Sequence, residues 1–287
     1  MSAIRLDSKK LRHWPASVFA LRAWNEDPLK SLDIGGNELT EVDVRIAQFK
    51  DSLTVLRLCS NKIGALPPAL YELAALKKLD LSSNPLHEPL SEGLQDSLPA
   101  LVELCVSGCG LGRLPPLHRL GCLEILRCGQ NEIAVLPEPL PPLLLELHAD
   151  GNKLVSVSEA SLGPCGGRLR TLRLSGNPLS VASLGCLRAL VALDLRLCRL
   201  TEMPDLPRSS ALVDVLLGAN ALTSLLPLEH SLRPSIETLD LRCATRASRG
   251  SAHCVGESIA PLQREPRHGA ACRAARPAQA AHPEPRQ

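Results

Sequence analysis

Aromatic side chains are nearly absent from this 287-residue sequence, which has two Trp, two Phe and one Tyr. A groove for single-stranded nucleic acid needs rings on which bases can stack, and the net charge of +2 attracts phosphate only weakly. The sequence also has no apolar run of the roughly 18 residues that span a bilayer. We therefore expect no nucleic-acid partner and no membrane span.

Catalytic motifs are missing as well. The patterns G-x-x-x-x-G-K-[ST], G-x-S-x-G and H-E-x-x-H do not occur. His148 lies between Glu146 and Asp150 on one predicted strand, but nothing in the pattern implies the enclosed cleft that acid-base or metal chemistry needs. We predict that the chain is not an enzyme and that it has no cofactor, no metal site and no small-molecule substrate.

The cysteines point to a reducing compartment. There are 11, an odd number, without the spacing of a disulfide framework. The densest group, with no zinc-site spacing, is Cys105, Cys109, Cys122 and Cys128. The first residues also lack the continuous apolar segment of a secretory signal. We predict a cytoplasmic location.

Leucine is abundant instead: it supplies 58 residues, of which 57 precede residue 242. The sequence repeats the pattern L-x-x-L-x-L-x-x-N-x-L, most clearly from Leu53, Leu76 and Leu169. The other copies start at Leu29, Leu101, Leu123, Leu144, Leu190 and Leu212, with an incomplete one at Ile236. Successive starts are 21 to 25 residues apart, which is within the range of leucine-rich repeats.

This spacing predicts the fold. The L-x-L core of each repeat is a short strand whose leucines point inward, and stacked repeats bury one another's apolar faces. We predict an α/β leucine-rich-repeat solenoid: a right-handed horseshoe with a parallel β-sheet on its concave face and an irregular or short-helical convex face. The ninth position is predicted to hold a structural ladder of amides, at Asn37, Asn61, Asn84, Asn131, Asn152, Asn177 and Asn220. Cys109 and Cys198 replace asparagine and offer only a weak donor, so those two turns should be less secure.

Two segments carry a family resemblance. Both contain Leu-Pro steps and are similar to repeats of the Ras-group-related class of cytoplasmic scaffolds; they are IGALPPALYELAALKKLDLSSNPL and NEIAVLPEPLPPLLLELHADGNKL. The resemblance covers roughly residues 1–243. It implies an intracellular leucine-rich-repeat protein that acts as a scaffold in signalling.

The pattern divides the chain into three parts. Residues 1–28 fit a degenerate N-terminal capping repeat, in which Lys9 takes the asparagine position and Trp14-Pro15 takes a Leu-Pro step; a disordered leader is the alternative. Residues 29–243 form a solenoid of about ten repeats, the last incomplete. Residues 244–287, rich in Ala, Arg and Pro, are predicted to be a disordered tail. That tail is either a genuine basic segment or out-of-frame sequence appended to a truncated solenoid, and the abrupt break within the last repeat favours the second.

The side chains that alternate with the buried leucines should form a partner-binding concave face. The third, fifth and seventh positions supply its charged candidates: Asp33, Arg57, Lys78, Asp80, Glu103, Arg127, Glu146, His148, Arg173, Asp194, Arg196 and Asp214. A mixed-charge face suits a protein partner. We expect that replacing Arg127 and Arg173 with Ala weakens partner capture at nearly unchanged stability. The alternatives are the substrate-recognition part of a ubiquitin-ligase-type enzyme and a truncated product of a longer leucine-rich-repeat protein.

Overall fold

The computed structural model describes residues 2–20, 28–206, 211–223, 236–242 and 258–259. Nearly every repeat contributes one strand to a single twelve-stranded sheet. Its strands, in spatial order, are β1 (Ser2–Arg5), β2 (Leu29–Asp33), β3 (Val55–Arg57), β4 (Lys78–Asp80), β5 (Glu103–Cys105), β6 (Ile125–Arg127), β7 (Glu146–His148), β9 (Thr171–Arg173), β11 (Ala192–Asp194), β12 (Asp214–Leu216), β13 (Thr238–Asp240) and β14 (Ser258–Ile259). All neighbours are parallel except β13 and β14, which are antiparallel.

The register of this sheet follows the repeat. Leu56 pairs with Leu79, and Leu79 pairs with Leu104, so the fourth position of each repeat meets the fourth position of the next. These leucines are at most 1% exposed and belong to one continuous apolar core. The predicted α/β leucine-rich-repeat solenoid with a long parallel sheet is confirmed.

The side opposite the sheet is built from short, mixed elements, because the Leu-Pro steps and turns leave no room for long helices. It contains the α-helices α1 (Ala16–Ala20), α2 (Leu94–Ser97) and α3 (Glu159–Leu162). Short 3₁₀ helices cover Val44–Phe49, Pro68–Glu72 and Gly163–Cys165. A separate two-stranded parallel sheet joins β8 (Ser156–Val157) to β10 (Val181–Ala182).

Buried asparagines close the turns after the strands. Asn61 donates from Nδ2 to the carbonyl of Leu58 in its own repeat and to that of Ile34 in the previous one, both at 3.0 Å. Its Oδ1 accepts the Leu39 N–H at 3.0 Å. The other predicted ladder residues make equivalent bonds, as shown for Asn37, Asn84, Asn131, Asn152, Asn177 and Asn220. Each amide therefore ties two successive coils together.

Two turns use cysteine, and in both the preceding repeat has an Asn-Pro step. The thiol of Cys109 donates to the Leu81 carbonyl at 3.2 Å, and that of Cys198 to the Leu174 carbonyl at 3.6 Å. Asn84 and Asn177 are each followed by a proline, which has no N–H to bond to the previous coil.

At these prolines the bond that the residue after asparagine makes elsewhere is lost, and the coils are joined by the third residue after asparagine, as Thr223 also joins Thr201. His87 N–H donates to the Gly64 carbonyl at 2.8 Å, and Ser180 N–H donates to the Val155 carbonyl at 2.9 Å. Leu86 N–H turns back to the Asn84 carbonyl at 2.9 Å. Since Leu86 needs no acceptor from the next coil, a donor-only thiol at Cys109 is sufficient there.

The edges of the sheet are formed by β1 and β14. At the N-terminus β1 pairs with β2, Asn37 accepts the Lys9 N–H at 2.9 Å, and the buried Trp14 indole donates to the Glu41 carbonyl at 2.9 Å. Residues 21–27 of the predicted cap lie outside the described residues. Of the tail predicted to be disordered, only β14 is described, and the prediction otherwise lies outside the described residues.

Candidate functional site

The candidate site is the outward face of the main sheet, where the third and fifth positions of each repeat alternate with the buried leucines. The strand pairings place these positions in straight rows. Arg127, His148 and Arg173, for example, lie directly side by side on β6, β7 and β9. The predicted face residues are thus brought onto one surface.

The centre of this face holds an ion-pair cluster, formed by Lys78, Glu103, Arg127 and Glu146. Lys78 Nζ lies 3.0 Å from Glu103 Oε2. Arg127 contacts the other oxygen of Glu103 and also reaches Glu146 Oε2 at 3.2 Å. The four side chains therefore link β4, β5, β6 and β7 across the sheet.

The cluster shifts the acidity of its members. Burial by itself would raise the pKa of Glu103, but Lys78 and then Arg127 outweigh it and hold that pKa below its ordinary value. Burial raises the pKa of the neighbouring Cys105 to about 11, although Arg127 opposes the change. Cys105 is therefore a thiol at neutral pH and not a nucleophilic thiolate.

His148 is neutral on this face. Burial, and then the charges of Arg173 and Arg127, lower its pKa, while Glu146 and Asp150 act in the opposite direction. Its Nε2 is 3.7 Å from Glu146 Oε2. Within the described part of the chain, no three His, Cys, Asp or Glu side chains are arranged to hold a metal ion.

The fifth-position aspartates have a structural task that the sequence pattern did not reveal. Each accepts the backbone N–H two residues later, at 3.0 to 3.1 Å; the pairs are Asp33 with Gly35, Asp80 with Ser82, Asp194 with Arg196, and Asp240 with Arg242. These carboxylates close the turn that follows their strand. The motif D-x-[GSR] at the strand end was the available signal.

Asp194 and Asp240 also bind the arginine side chain two residues on. Asp194 meets Arg196 at 2.9 and 2.7 Å, and Asp240 meets Arg242 at 2.9 Å through both oxygens. Asp240 has a pKa below its ordinary value, chiefly because of its hydrogen bond with Arg242. Arg242 is thus a face residue that we did not single out from the sequence.

The two arginines proposed as partner anchors are not equivalent. Arg127 is held between two carboxylates and has 34% of its side chain exposed. Arg173 is exposed, and no carboxylate of the described residues lies within ion-pair distance of it. The expectation that both can be removed without loss of stability therefore applies to Arg173 alone.

Two cavities lie on or beside this face. A cleft of about 50 Å³ lies on the sheet face between Arg57, Lys78 and Glu103. An open depression of about 570 Å³ lies on the turn edge beside Pro85, His87 and Gly110. The described helices are all too short to cross a membrane.

Comparison with known proteins agrees with this geometry. The family model described as "Leucine rich repeat" matches residues 27–86 and 51–111. YopM from Yersinia enterocolitica, a solved structure, has 25% sequence identity and a TM-score of 0.60 over 84% of this chain and 51% of that one. The chain is a leucine-rich-repeat solenoid. A leucine-rich-repeat protein of Leptospira interrogans, 24% identical, has the same fold with a TM-score of 0.60 over 84% of this solenoid and 72% of that chain.

The curated relatives of this solenoid are longer proteins. Podocan-like protein 1 of Mus musculus is 32% identical over 185 residues, which are 61% of this chain and 32% of that protein. Leucine-rich repeat serine/threonine-protein kinase 1 of Mus musculus is 29% identical over 78% of this chain and 11% of its own length. The solenoid therefore spans a third or less of either relative.

Proposed function

We propose that this solenoid is a non-catalytic interaction module that presents its sheet face to a protein partner inside the cell, in signalling. The observation that carries the proposal is the face itself. Parallel strands in unbroken register from β2 to β13 hold side chains of both signs at fixed spacing. A rigid, extended and polar surface of this kind suits recognition of another protein's mixed surface.

The test is partner capture by face variants in cells. The full chain with Arg57→Ala and Arg173→Ala loses two exposed guanidinium groups of the face. The matched control is Arg168→Ala with Arg188→Ala, which removes two exposed arginines from the turns before β9 and β11.

The outcome is measured by cross-linking, affinity purification and mass spectrometry. We expect the enrichment of the proteins captured by the wild type to fall several-fold with the face variant and to remain unchanged with the control. Equal enrichment with all three chains would exclude this face as the interaction surface. A ubiquitin-ligase subunit among the face-dependent partners would favour the ligase alternative instead.

The proposed location rests on the thiols. All eight cysteines among the described residues are free, and five of them are buried. We expect alkylation in intact cells, followed by denaturation and mass spectrometry, to find these cysteines as thiols. A disulfide between any two of them would contradict a reducing compartment.

A further inference from the structure

In the repeats of β2 to β13, three charged side chains of the sheet face have no ion-pair partner among the described residues and accept no backbone N–H: Asp150, Arg173 and Asp214. In the repeats of β2 to β13, every other charged side chain that the structure describes at the third, fifth and seventh positions either pairs with an opposite charge or accepts a backbone N–H. At the N-terminal edge of the sheet, Arg5 and Asp7 are also exposed and without an ion pair among the described residues, but they lie far from these three. The three exceptions lie close together, on β9, on β12 and just after β7.

Local competition explains why Arg173 remains unpaired. In the strand register it lies directly between His148 and Asp194. The Asp194 carboxylate is occupied by Arg196, through two side-chain contacts and the backbone N–H. His148 carries no charge at neutral pH, because burial and the neighbouring arginines lower its pKa. The Arg173 guanidinium is therefore exposed and available to an external anion.

The three charges form a diagonal across the sheet. Ideal strand spacing and residue rise would place the Cα atom of Arg173 about 8 Å from that of Asp150 and about 12 Å from that of Asp214. On the strand between Arg173 and Asp214, the residue directly beside Asp214 in the register is Ala192. Its short side chain leaves a shallow depression in the face. The half-buried Leu216 lies two residues beyond Asp214 on the same strand. Along the diagonal the surface is therefore acidic, basic, small and apolar, and acidic again, with the Asp194–Arg196 ion pair beside the base.

We propose that this diagonal binds a segment of a partner protein in which one carboxylate is flanked on both sides by a lysine or arginine. The inference rests on the proposed function and names the part of the face that makes the contact. The central carboxylate pairs with Arg173 as a fork, and the two cations meet Asp150 and Asp214. A small apolar side chain between them covers Ala192. Phosphate-rich partners are disfavoured, because the two aspartates would repel them.

The probe for this proposal is a phage-displayed library of random short peptides, selected on the full-length chain. The test variant carries Arg173→Glu with Asp214→Lys, which reverses the sign of two of the three charges and leaves the net charge unchanged. The matched control carries Glu132→Lys with Lys153→Glu, which swaps an exposed ion pair of 3.0 Å on the turn edge. Circular dichroism of all three chains verifies that they are folded.

We expect the wild type and the control to enrich peptides with an acid between two bases. The test variant presents the order acid, acid, base, because Asp150 is unchanged, and should enrich peptides with two bases followed by an acid. For a synthetic peptide of the wild-type pattern, the test variant should lose about tenfold in affinity. Added salt should weaken the wild-type complex. Selection of the same peptides by all three chains, or of peptides without this charge pattern, overturns the proposal. If capture in cells still depends on the face, the proposed function stands while this site is rejected.

Discussion

The turn edge and the sheet face of this solenoid treat their polar groups in opposite ways. On the turn edge, six of the seven ladder asparagines are buried. Each uses its amide donors and its acceptor to bond backbone groups of two successive coils. On the sheet face, the charged side chains other than the buried Asp194 are half-buried or exposed, some are paired across strands, and Arg173 has no ion-pair partner among the described residues.

The difference follows from burial. A buried donor or acceptor without a partner costs about 1–3 kcal/mol, so the turn edge tolerates no gap. An exposed ion pair contributes about 0–1 kcal/mol, so charged side chains of the face can remain unpaired with little loss of stability. The polar groups that contribute most to stability are therefore expected at the turns, while those of the face can serve recognition.

The largest effect is expected at the asparagine ladder. Asn61→Ala removes the bonds to Ile34, Leu58 and Leu39, and we expect it to lower the free energy of unfolding by about 3 kcal/mol. Urea unfolding followed by circular dichroism measures this change. A loss below about 1 kcal/mol would show that water replaces the amide and would remove the contrast between edge and face.

The cysteine turns sharpen the same contrast. Cys109→Ala removes one thiol donor to the Leu81 carbonyl, and we expect a loss of about 1 kcal/mol, because the thiol bond is weak and the space left is small. The matched comparison is Asn61→Ala at the same repeat position. Equal losses for the two variants would contradict the explanation given for the Asn-Pro steps.

The two central arginines test whether the face is energetically uniform. Arg127→Ala leaves Glu103 and Glu146 facing each other without their shared cation, so we expect a loss of somewhat under 1 kcal/mol. Arg173→Ala should change stability by less than about 0.5 kcal/mol. Thermal unfolding of both variants measures the two losses of stability. A larger loss with Arg173→Ala than with Arg127→Ala would mean that Arg173 has a structural partner.

The smallest effect concerns acid. The pKa of Glu103 is lower in the folded chain than its ordinary value of 4.5. Its contribution to stability is therefore fully present above that value and is lost as the pH falls through the folded pKa. Glu103→Gln should flatten the decline of stability below pH 4.5, whereas Glu88→Gln, at an exposed position, should leave it unchanged. Identical acid profiles for the two variants would argue against the ion-pair cluster.

The repeat spacing was sufficient to predict the strands, the buried leucines and the ladder asparagines. The leucines at the fourth and sixth positions of each repeat lie on the same side of a strand, so that side must be buried. Stacking then aligns the repeats. The Asn-Pro steps before Cys109 and Cys198 were visible in the sequence, but their meaning depends on which N–H bonds between the coils remain once proline has removed one.

The sequence by itself determined that the chain forms a solenoid with a parallel sheet, and it determined which side chains lie on the outward face. The pairing of charges was decided only by the tertiary structure. Asp194 has Arg173 beside it in the register and Arg196 two residues further along its own chain, and it binds Arg196. Periodicity specifies on which side of a strand a residue lies, because burial of leucine is strongly favourable. The choice between two nearby cations depends on side-chain geometry and on competing backbone bonds, which no repeat pattern encodes.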